Sequence, residues 1–306
     1  AQNVAREKRR EFWRWVFAES PRKAWARGAE RDAATEIKNA IMAGSAPSAP
    51  QEGSISLIGA GPGAKDLLTL RAVARLQEAD VIFYDRLIDA EVLELARRDA
   101  ERVFVGKVVG ACAWPQERIN TLIVEEARKG RNVVRLKSGD PGIFGRAGEE
   151  IAAAKAAGVA VEIVPGVTAV CAAGASAGIS LTERGVTDTL VLTTATGADG
   201  GVLPESVRFT SPGTSTAFYM ATRQAPAIQQ ALFAQGLPSD APVTLAVEVS
   251  KAGEKVYDCT LATLQATIDA RSVSGCAIIL VTWPKEVVRV GKPAPTRQRP
   301  RLIAAQ

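Results

Sequence analysis

The sequence contains no histidine among its 306 residues. This absence removes the commonest general base and the commonest transition-metal ligand, and it excludes Ser-His-Asp and Cys-His mechanisms. Cysteine is scarce: the four are widely spaced and form no CxxC pair, so neither a zinc site nor a disulfide framework is predicted. We expect no metal site, and any proton transfer must use Asp, Glu, Lys, Tyr, Arg or water.

Long hydrophobic runs are also missing. No apolar segment approaches the roughly 20 residues that a membrane-spanning helix needs, and the first residues lack the apolar block of a secretory signal. We therefore expect a cytoplasmic protein without a membrane partner. The net charge of +5 lies at the two ends, because residues 1–50 carry +4 and residues 285–306 carry +5, which leaves −4 on the body. Basic ends on an acidic body do not make a nucleic-acid groove, so no nucleic-acid partner is predicted.

What is abundant is alanine, valine and glycine, within a hydrophobic content of 47%. This composition and the order of apolar segments predict an α/β fold of two α/β domains, preceded by short N-terminal helices. From Ser54 onward, short apolar strands alternate with helices, which is typical of a parallel sheet. Later strands adjoin without helices between them, so we expect the second sheet to be mixed. The expected segments are a helical stretch and linker (1–50), a first α/β domain (51–166), a second α/β domain (167–284) and an irregular tail (285–306).

Glycines and charged residues gather where the predicted strands end. In parallel sheets, ligands bind at the carboxyl ends of the strands, so these segments predict a binding site. The first segment, GAGPG at 59–63, departs from the dinucleotide pattern GxGxxG because Pro62 stiffens the loop and removes a donor N–H. A dinucleotide site is therefore disfavoured. The other segments are YDRL (84–87), GK (106–107), VVRLKSGDPGIFGRAGEE (133–150), VPGVTA (164–169) and LTERG (181–185).

In this order and spacing, and with PQERIN at 115–120 and FYM at 218–220, the motifs over residues 54–284 resemble the uroporphyrinogen-III C-methyltransferase family. That family includes the C-terminal module of siroheme synthases. The stretch REFWRWVF near the N-terminus is similar to the last helices of the dehydrogenase/ferrochelatase module that precedes the methyltransferase in siroheme synthases. The nucleotide-binding part of that module has no counterpart here, so neither NAD chemistry nor iron insertion is expected.

The resemblance implies an S-adenosylmethionine-dependent enzyme that methylates uroporphyrinogen III twice to give precorrin-2, with S-adenosylhomocysteine as the second product. It also implies that the two α/β domains form a cleft and that the enzyme is a homodimer. Asp85 and Lys107 match positions that accept and donate protons, and Arg146 matches a position with roles in substrate binding and catalysis. Glu149 and Arg184 match further positions that face the tetrapyrrole. The residues implied to hold the cofactor are Pro62, Ser138, Gly139, Asp140, Ile143, Thr168, Ala169, Met220, Val249 and Ala277.

Two alternatives stay open at this point. A methyltransferase of the same fold could act on a later corrinoid precursor, where different arginines would meet the substrate. The chain could also be a degenerate, non-catalytic module that binds the cofactor or dimerises, since Thr193–Thr196 lack the histidine found at this strand end in the family.

Overall fold

A computed structural model describes residues 6–44, 53–106, 114–195 and 205–285. The chain forms two compact units, Ala1–Glu52 and Gly53–Gln306. Lys107, one of the residues implied to transfer protons, lies outside the described residues, as do Thr196 and most of the predicted tail. None of the described helices is long and apolar enough to cross a membrane.

The first unit is a small helical assembly with a core of its own. Trp15, Val16 and Ala40 are buried in that core. The apolar stripe over residues 12–17 predicts one helix, and Ser20-Pro21 predicts the start of a second that runs to about Met42, whereas the structure has three. The predicted second helix is interrupted at Gly28, whose φ of +82° lies in the left-handed region that glycine adopts at low cost. The helices are α1 (Arg6–Ala18), α2 (Ser20–Ala26) and α3 (Glu30–Ala43).

The second unit begins with a five-stranded parallel sheet in the order β3-β2-β4-β1-β5. Helices cover both of its faces, with α4 and α5 on one side and α6 and α7 on the other. The strands are β1 (Ser54–Gly59), β2 (Val81–Tyr84), β3 (Glu101–Phe104), β4 (Asn132–Lys137) and β5 (Ala160–Val164). The helices are α4 (Leu70–Glu78), α5 (Ala90–Leu93), α6 (Gln116–Arg128) and α7 (Ala147–Ala156).

The second sheet is mixed, as predicted, in the order β6-β7-β10-β8-β9. Only β6 and β7 pair in parallel within it. Helices α9 and α10 pack on one face, and α8 packs on the other. The elements are α8 (Ala169–Ala177), β6 (Thr189–Thr194), β7 (Thr214–Tyr219), α9 (Ala225–Ala234), β8 (Pro242–Val247), β9 (Lys255–Thr260), α10 (Leu264–Ala270) and β10 (Ala277–Trp283).

Two helices differ from the sequence prediction. Helix α5 was expected to run over residues 90–99 but ends at Leu93, after which the chain continues in turns. Helix α8 was not predicted at all. Its sequence AVCAAGASA consists of small residues without an apolar stripe, so no helical period marks it.

Candidate functional site

Three glycines hold the carboxyl ends of β1, β4 and β5 in direct backbone contact. A Cβ added to Gly59 would lie 2.6 Å from both the Gly139 carbonyl oxygen and the Gly166 Cα, and a Cβ on Gly166 would collide with the same oxygen. Gly139 and Gly61 also form a small antiparallel bridge, with N···O distances of 2.7 and 3.2 Å. The main chains of the three strand ends are therefore packed directly against one another, and Gly59, Gly61 and Gly139 are buried.

Gly139 leaves open space on its outer side. Its φ is +69°, and the nearest atom to an added Cβ, other than its chain neighbours, is the Thr168 Cα at 3.9 Å. The adjacent Asp140 carboxylate braces the loops, since it accepts hydrogen bonds from the backbone N–H of Gly142 at 2.7 Å and of Gly166 at 3.0 Å. This geometry fits a ligand that lies against the backbone between the β4 and β5 loops.

Loops from the second sheet close onto this edge. The Ser250 hydroxyl, in the turn after β8, accepts a hydrogen bond from the Ala64 N–H at 3.2 Å. The Lys251 ammonium donates to the Leu87 carbonyl oxygen at 3.1 Å. Val249, which precedes these two residues, is buried in the layer that α8 forms with the second sheet. The turn after β8 is thus anchored to the loops that follow β1 and β2.

Tyr219, the last residue of β7, makes the most extensive of these bridges. Its hydroxyl lies 2.7 Å from the Thr168 hydroxyl and accepts a hydrogen bond from the Val170 N–H at 3.1 Å. This second bond satisfies one of the free N–H groups at the start of α8. Burial raises the pKa of Tyr219, although both hydrogen bonds act in the opposite direction. The Phe144 ring packs on the tyrosine with centroids 5.0 Å apart.

Strained backbone is concentrated at the same place. Six described non-glycine residues have positive φ, and five of them belong to the facing loops. Such conformations cost about 1–3 kcal/mol each and persist where the surrounding structure holds them, often at ligand sites. The five are Phe144 and Arg146 after β4, Met220 after β7, and Glu248 and Ser250 after β8.

Arg146 and Glu149 form an exposed ion pair at the start of α7. The Arg146 Nε and Nη2 donate to the two Glu149 carboxylate oxygens, both at 2.7 Å. These hydrogen bonds raise the pKa of Arg146 and lower the pKa of Glu149. The Arg146 guanidinium is therefore held in a fixed orientation, and 59% of the Arg146 side chain is exposed to solvent.

A second charged group lies buried beneath the loops. The Glu150 carboxylate is fully buried and accepts from the Lys137 ammonium at 2.8 and 2.9 Å and from the Arg135 Nε at 3.0 Å. The Arg135 Nη2 lies 3.7 Å from the Asp85 Oδ2. Burial, and then the neighbouring Arg135 charge, lower the pKa of Lys137, while Glu150 and Asp85 act in the opposite direction. Asp85 is the member nearest to solvent, with 29% of its side chain exposed.

The family model for Tetrapyrrole (Corrin/Porphyrin) Methylases matches residues 54–265, which include both sheets up to α10. The chain belongs to this tetrapyrrole methylase family. The resemblance and the fold class predicted from the motifs are thereby confirmed.

Curated relatives of this tetrapyrrole methylase are siroheme synthases. The one from Edwardsiella ictaluri is 40% identical over 272 residues, which cover 89% of this chain and 58% of the relative. The one from Chromobacterium violaceum is 40% identical over 273 residues, which cover 89% of this chain and 57% of the relative. The chain thus spans somewhat under two thirds of the length of these relatives.

Solved structures with the same fold include two further tetrapyrrole methylases. Uroporphyrin-III C-methyl transferase from Thermus thermophilus, complexed with S-adenyl homocysteine, is 35% identical with a TM-score of 0.64, covering 78% of this chain and 100% of that one. A cobalt precorrin-4 methyltransferase is 28% identical with a TM-score of 0.67, and the alignment covers 75% of this chain and 95% of that one.

The structure gathers most of the sequence-predicted site residues of this tetrapyrrole methylase at the facing loops. Arg184 is different: it lies in an exposed turn after α8 and makes no hydrogen bond or ion pair within the described ranges. Ala277 begins β10 and pairs with Val247, one strand away from the turn at Val249. The gathered residues are Pro62, Asp85, Ser138, Gly139, Asp140, Ile143, Arg146, Glu149, Thr168, Ala169, Met220 and Val249.

Tyr219 and the buried cluster were missed by the sequence reasoning. Tyr219 stands in the FYM triplet, but the motif pointed to Met220 beside it. The signal for the cluster was present, since Arg135 and Lys137 alternate with Val134 and Leu136 in an otherwise apolar strand. Two charges at alternate positions of a buried strand lie on one face and require partners there.

Proposed function

We propose that the chain transfers methyl groups from S-adenosylmethionine to carbon atoms of uroporphyrinogen III, twice, to give precorrin-2. The observation that carries this proposal is the space beside Gly139, where an added Cβ would meet, apart from its chain neighbours, nothing nearer than the Thr168 Cα at 3.9 Å, next to the paired Thr168 and Tyr219 hydroxyl groups. The Thermus thermophilus uroporphyrin-III C-methyl transferase that shares the fold was solved with S-adenyl homocysteine, which supports the choice of cofactor.

The cofactor would lie against the loops that follow β1, β4 and β5. Ser138, Gly139 and Asp140 offer backbone approach, and the Asp140 carboxylate has acceptor capacity beyond its two backbone bonds. Met220 offers an adaptable, half-exposed apolar wall. When bound, S-adenosylmethionine supplies an electrophilic methyl group. The remaining residues proposed to contact it are Pro62, Ile143, Thr168, Ala169, Val249 and Ala277.

The substrate side of the proposal rests on charge. Uroporphyrinogen carries eight carboxylates, and arginine is the natural bidentate partner of a carboxylate. Arg146 is oriented by Glu149 and exposed, so it can bind substrate and stabilise charge near the reacting ring. Arg184 presents a second exposed guanidinium for another carboxylate. Asp85 would accept a proton from the macrocycle as its conjugation is restored, and Lys107 would donate one.

The protein contributes mainly by position. An electron-rich pyrrole carbon attacks a sulfonium methyl group in line, so holding the two partners in contact supplies much of the acceleration. A homodimer and a cytoplasmic location belong to the same proposal.

A later corrinoid precursor is the second candidate substrate. The cobalt precorrin-4 methyltransferase aligns with a TM-score of 0.67, slightly above the 0.64 of the uroporphyrin-III enzyme. The uroporphyrin-III enzyme is the more similar in sequence, at 35% against 28%. We therefore favour uroporphyrinogen III.

The test combines turnover with cofactor binding. Purified protein with uroporphyrinogen III and S-adenosylmethionine should form a coloured, twice-methylated product that is identified by mass spectrometry. Arg146→Ala should reduce methylation at least about 100-fold, because a charged hydrogen-bond partner in the transition state is lost, while calorimetry shows nearly unchanged cofactor affinity.

Gly139→Leu tests the binding surface separately. Its side chain would occupy the open space, so cofactor binding should disappear. Gly139→Ala is the matched control, since it carries the same positive-φ strain but a far smaller side chain, and it should retain measurable binding. Normal cofactor affinity in Gly139→Leu would show that the loop assignment is wrong. Cofactor binding without turnover on either tetrapyrrole would favour the degenerate module.

A further inference from the structure

The buried charges beneath the loops are the feature that the proposed function leaves unused. Strand β4 alternates its side chains, so Val133, Arg135 and Lys137 point to the face covered by α6 and α7. Val133 joins the apolar layer there, whereas Arg135 and Lys137 are 6% and 5% exposed at the carboxyl end of the strand. Glu150 of α7 is the carboxylate that meets both.

Burial of these charges has no evident benefit for stability. Removing ionised groups from water costs several kcal/mol per ion, and a buried pair is often no more stabilising than apolar residues of the same volume. An apolar layer lies directly alongside, so hydrophobic residues would fit the surroundings. A function that needs a rigid charge at this place is the alternative explanation.

The charges of the cluster do not balance without Asp85. Arg135 and Lys137 are both cationic, and Glu150 supplies one negative charge. The Arg135 guanidinium is fixed on three sides: Nε donates to Glu150, and Nη1 donates to the carbonyl oxygens of Leu136 at 3.0 Å and Phe83 at 3.3 Å. Its remaining nitrogen, Nη2, lies 3.7 Å from the Asp85 carboxylate.

We propose that the Arg135–Glu150–Lys137 cluster positions Asp85 for catalysis. Glu150 and the two carbonyl groups hold the guanidinium, and the guanidinium holds the Asp85 carboxylate at the edge of the sheet where the loops meet. The Leu87 N–H donates to the Asp85 Oδ1 at 3.1 Å and restrains the carboxylate from the other side. Asp85 is thus held between a fixed cation and a backbone donor. This inference rests on the proposed function, in which Asp85 accepts a proton.

Arg135→Gln tests the positioning role. The variant loses the charge that faces Asp85, while Lys137 and Glu150 remain paired with each other. The value of kcat should fall about 10- to 100-fold. A well-placed proton acceptor accelerates a reaction about 10²–10⁴-fold, and a misplaced acceptor loses part of that acceleration. The KM for each substrate should change much less. Arg135→Lys, which restores the charge, should recover part of the lost kcat.

A double-mutant cycle separates positioning from a general structural effect. In an Asp85→Asn background, Arg135→Gln should change kcat by less than about twofold, because there is no carboxylate left to position. An equal loss of kcat in both backgrounds would overturn the proposal. The matched control is Arg131→Gln at the opposite end of β4, where the arginine pairs with Glu126 and Glu101, and its kcat should be unchanged.

A second measurement does not depend on turnover. Crystal structures should show the Asp85 carboxylate beside residue 135 in the wild-type protein and displaced in Arg135→Gln, with folding checked by thermal unfolding. An Asp85 side chain that stays in place in the variant would overturn the proposal. A wild-type protein without activity on uroporphyrinogen III would instead refute the proposed function, and the crystallographic comparison would still decide the positioning role.

Discussion

The two sheets of the larger unit contribute different things to the same site. Within the described residues, every buried charged side chain belongs to the parallel half: Asp80, Arg135, Lys137 and Glu150. The buried polar side chains of the mixed half are hydroxyl groups of serine and threonine. The parallel half therefore supplies charge and closely packed main chain. The mixed half supplies shape, through strained turns and the Tyr219 bridge.

This division explains why the backbone is held differently in the two halves. In the parallel half, glycines bring β1, β4 and β5 into contact at their ends. In the mixed half, residues with side chains take the positive-φ positions of the facing loops, at Met220, Glu248 and Ser250, as Phe144 and Arg146 also do after β4. A site of this kind is specified by the main chain on one side and by side chains on the other. Substitutions should accordingly have larger effects on the parallel side.

The largest expected effect is that of Gly166→Ala. The new Cβ would collide with the Gly139 carbonyl oxygen and lie 2.8 Å from the Gly59 Cα, and backbone atoms cannot move away cheaply. We expect a loss of about 1–3 kcal/mol in the free energy of unfolding, together with loss of cofactor binding. Urea unfolding and calorimetry measure the two effects.

Gly148→Ala is the matched control for this change. Gly148 lies in α7, and an added Cβ has nothing within 4 Å, so the variant should be more stable by about 0.5–1 kcal/mol. If Gly166→Ala bound the cofactor like the wild-type protein, the main chain of the parallel half would not be the specifying element.

An intermediate effect is expected for Tyr219→Phe. The variant keeps the ring that packs on Phe144 but leaves the Val170 N–H and the Thr168 hydroxyl without their partner. The free energy of unfolding should fall by about 1–2 kcal/mol, and the cofactor affinity should weaken.

Tyr257→Phe, in β9 of the same sheet, provides the comparison. The Tyr257 hydroxyl makes no hydrogen bond within the part of the chain that the structure describes, so its removal should cost less than about 0.5 kcal/mol. Equal losses in the two variants would mean that the Tyr219 hydroxyl does not anchor the start of α8 to the second sheet.

The smallest effect concerns pH and the amino edge of the parallel sheet. Burial acts to raise the pKa of Glu162, but hydrogen bonds from Arg75 and Ser56 and the charges of Arg75 and Arg71 outweigh it and lower the pKa. A carboxyl group with a lowered pKa in the folded state stabilises the fold above its unfolded pKa. That contribution is lost as the pH falls through the lowered value.

Glu162→Gln should therefore destabilise the protein near neutral pH by less than about 1 kcal/mol, because the side chain is partly exposed and screened. The difference from the wild-type protein should vanish in acid, which urea unfolding over a pH series measures. Glu117→Gln, on an exposed position of α6, should show little difference at any pH. A Glu162→Gln deficit that persists in acid would contradict the electrostatic explanation.

Much of the larger unit could be predicted from local patterns. Short apolar runs marked the strands of both sheets, and adjoining strands near residues 242–283 indicated the mixed pairing that β8, β9 and β10 adopt. Helix α8 was not predicted because its small residues show no helical periodicity of apolar positions. Its burial depends on contact with a sheet whose strands follow later in the chain. The charged cluster was not predicted because Arg135 and Lys137 meet their partner, Glu150, only through the packing of α7 on the sheet.

The contact between Gly59, Gly139 and Gly166 has a consequence for how such an enzyme can diversify. Main-chain contact sets the spacing between these three strand ends, so this spacing cannot be adjusted by exchanging side chains. The proposed binding site of the methyl donor should therefore stay constant among functional variants. The exposed side chain of Arg184 has no such constraint, because the proposed function places it at the substrate and not at the methyl donor. An engineer who wants a new acceptor molecule can therefore randomise that position and leave the donor geometry intact.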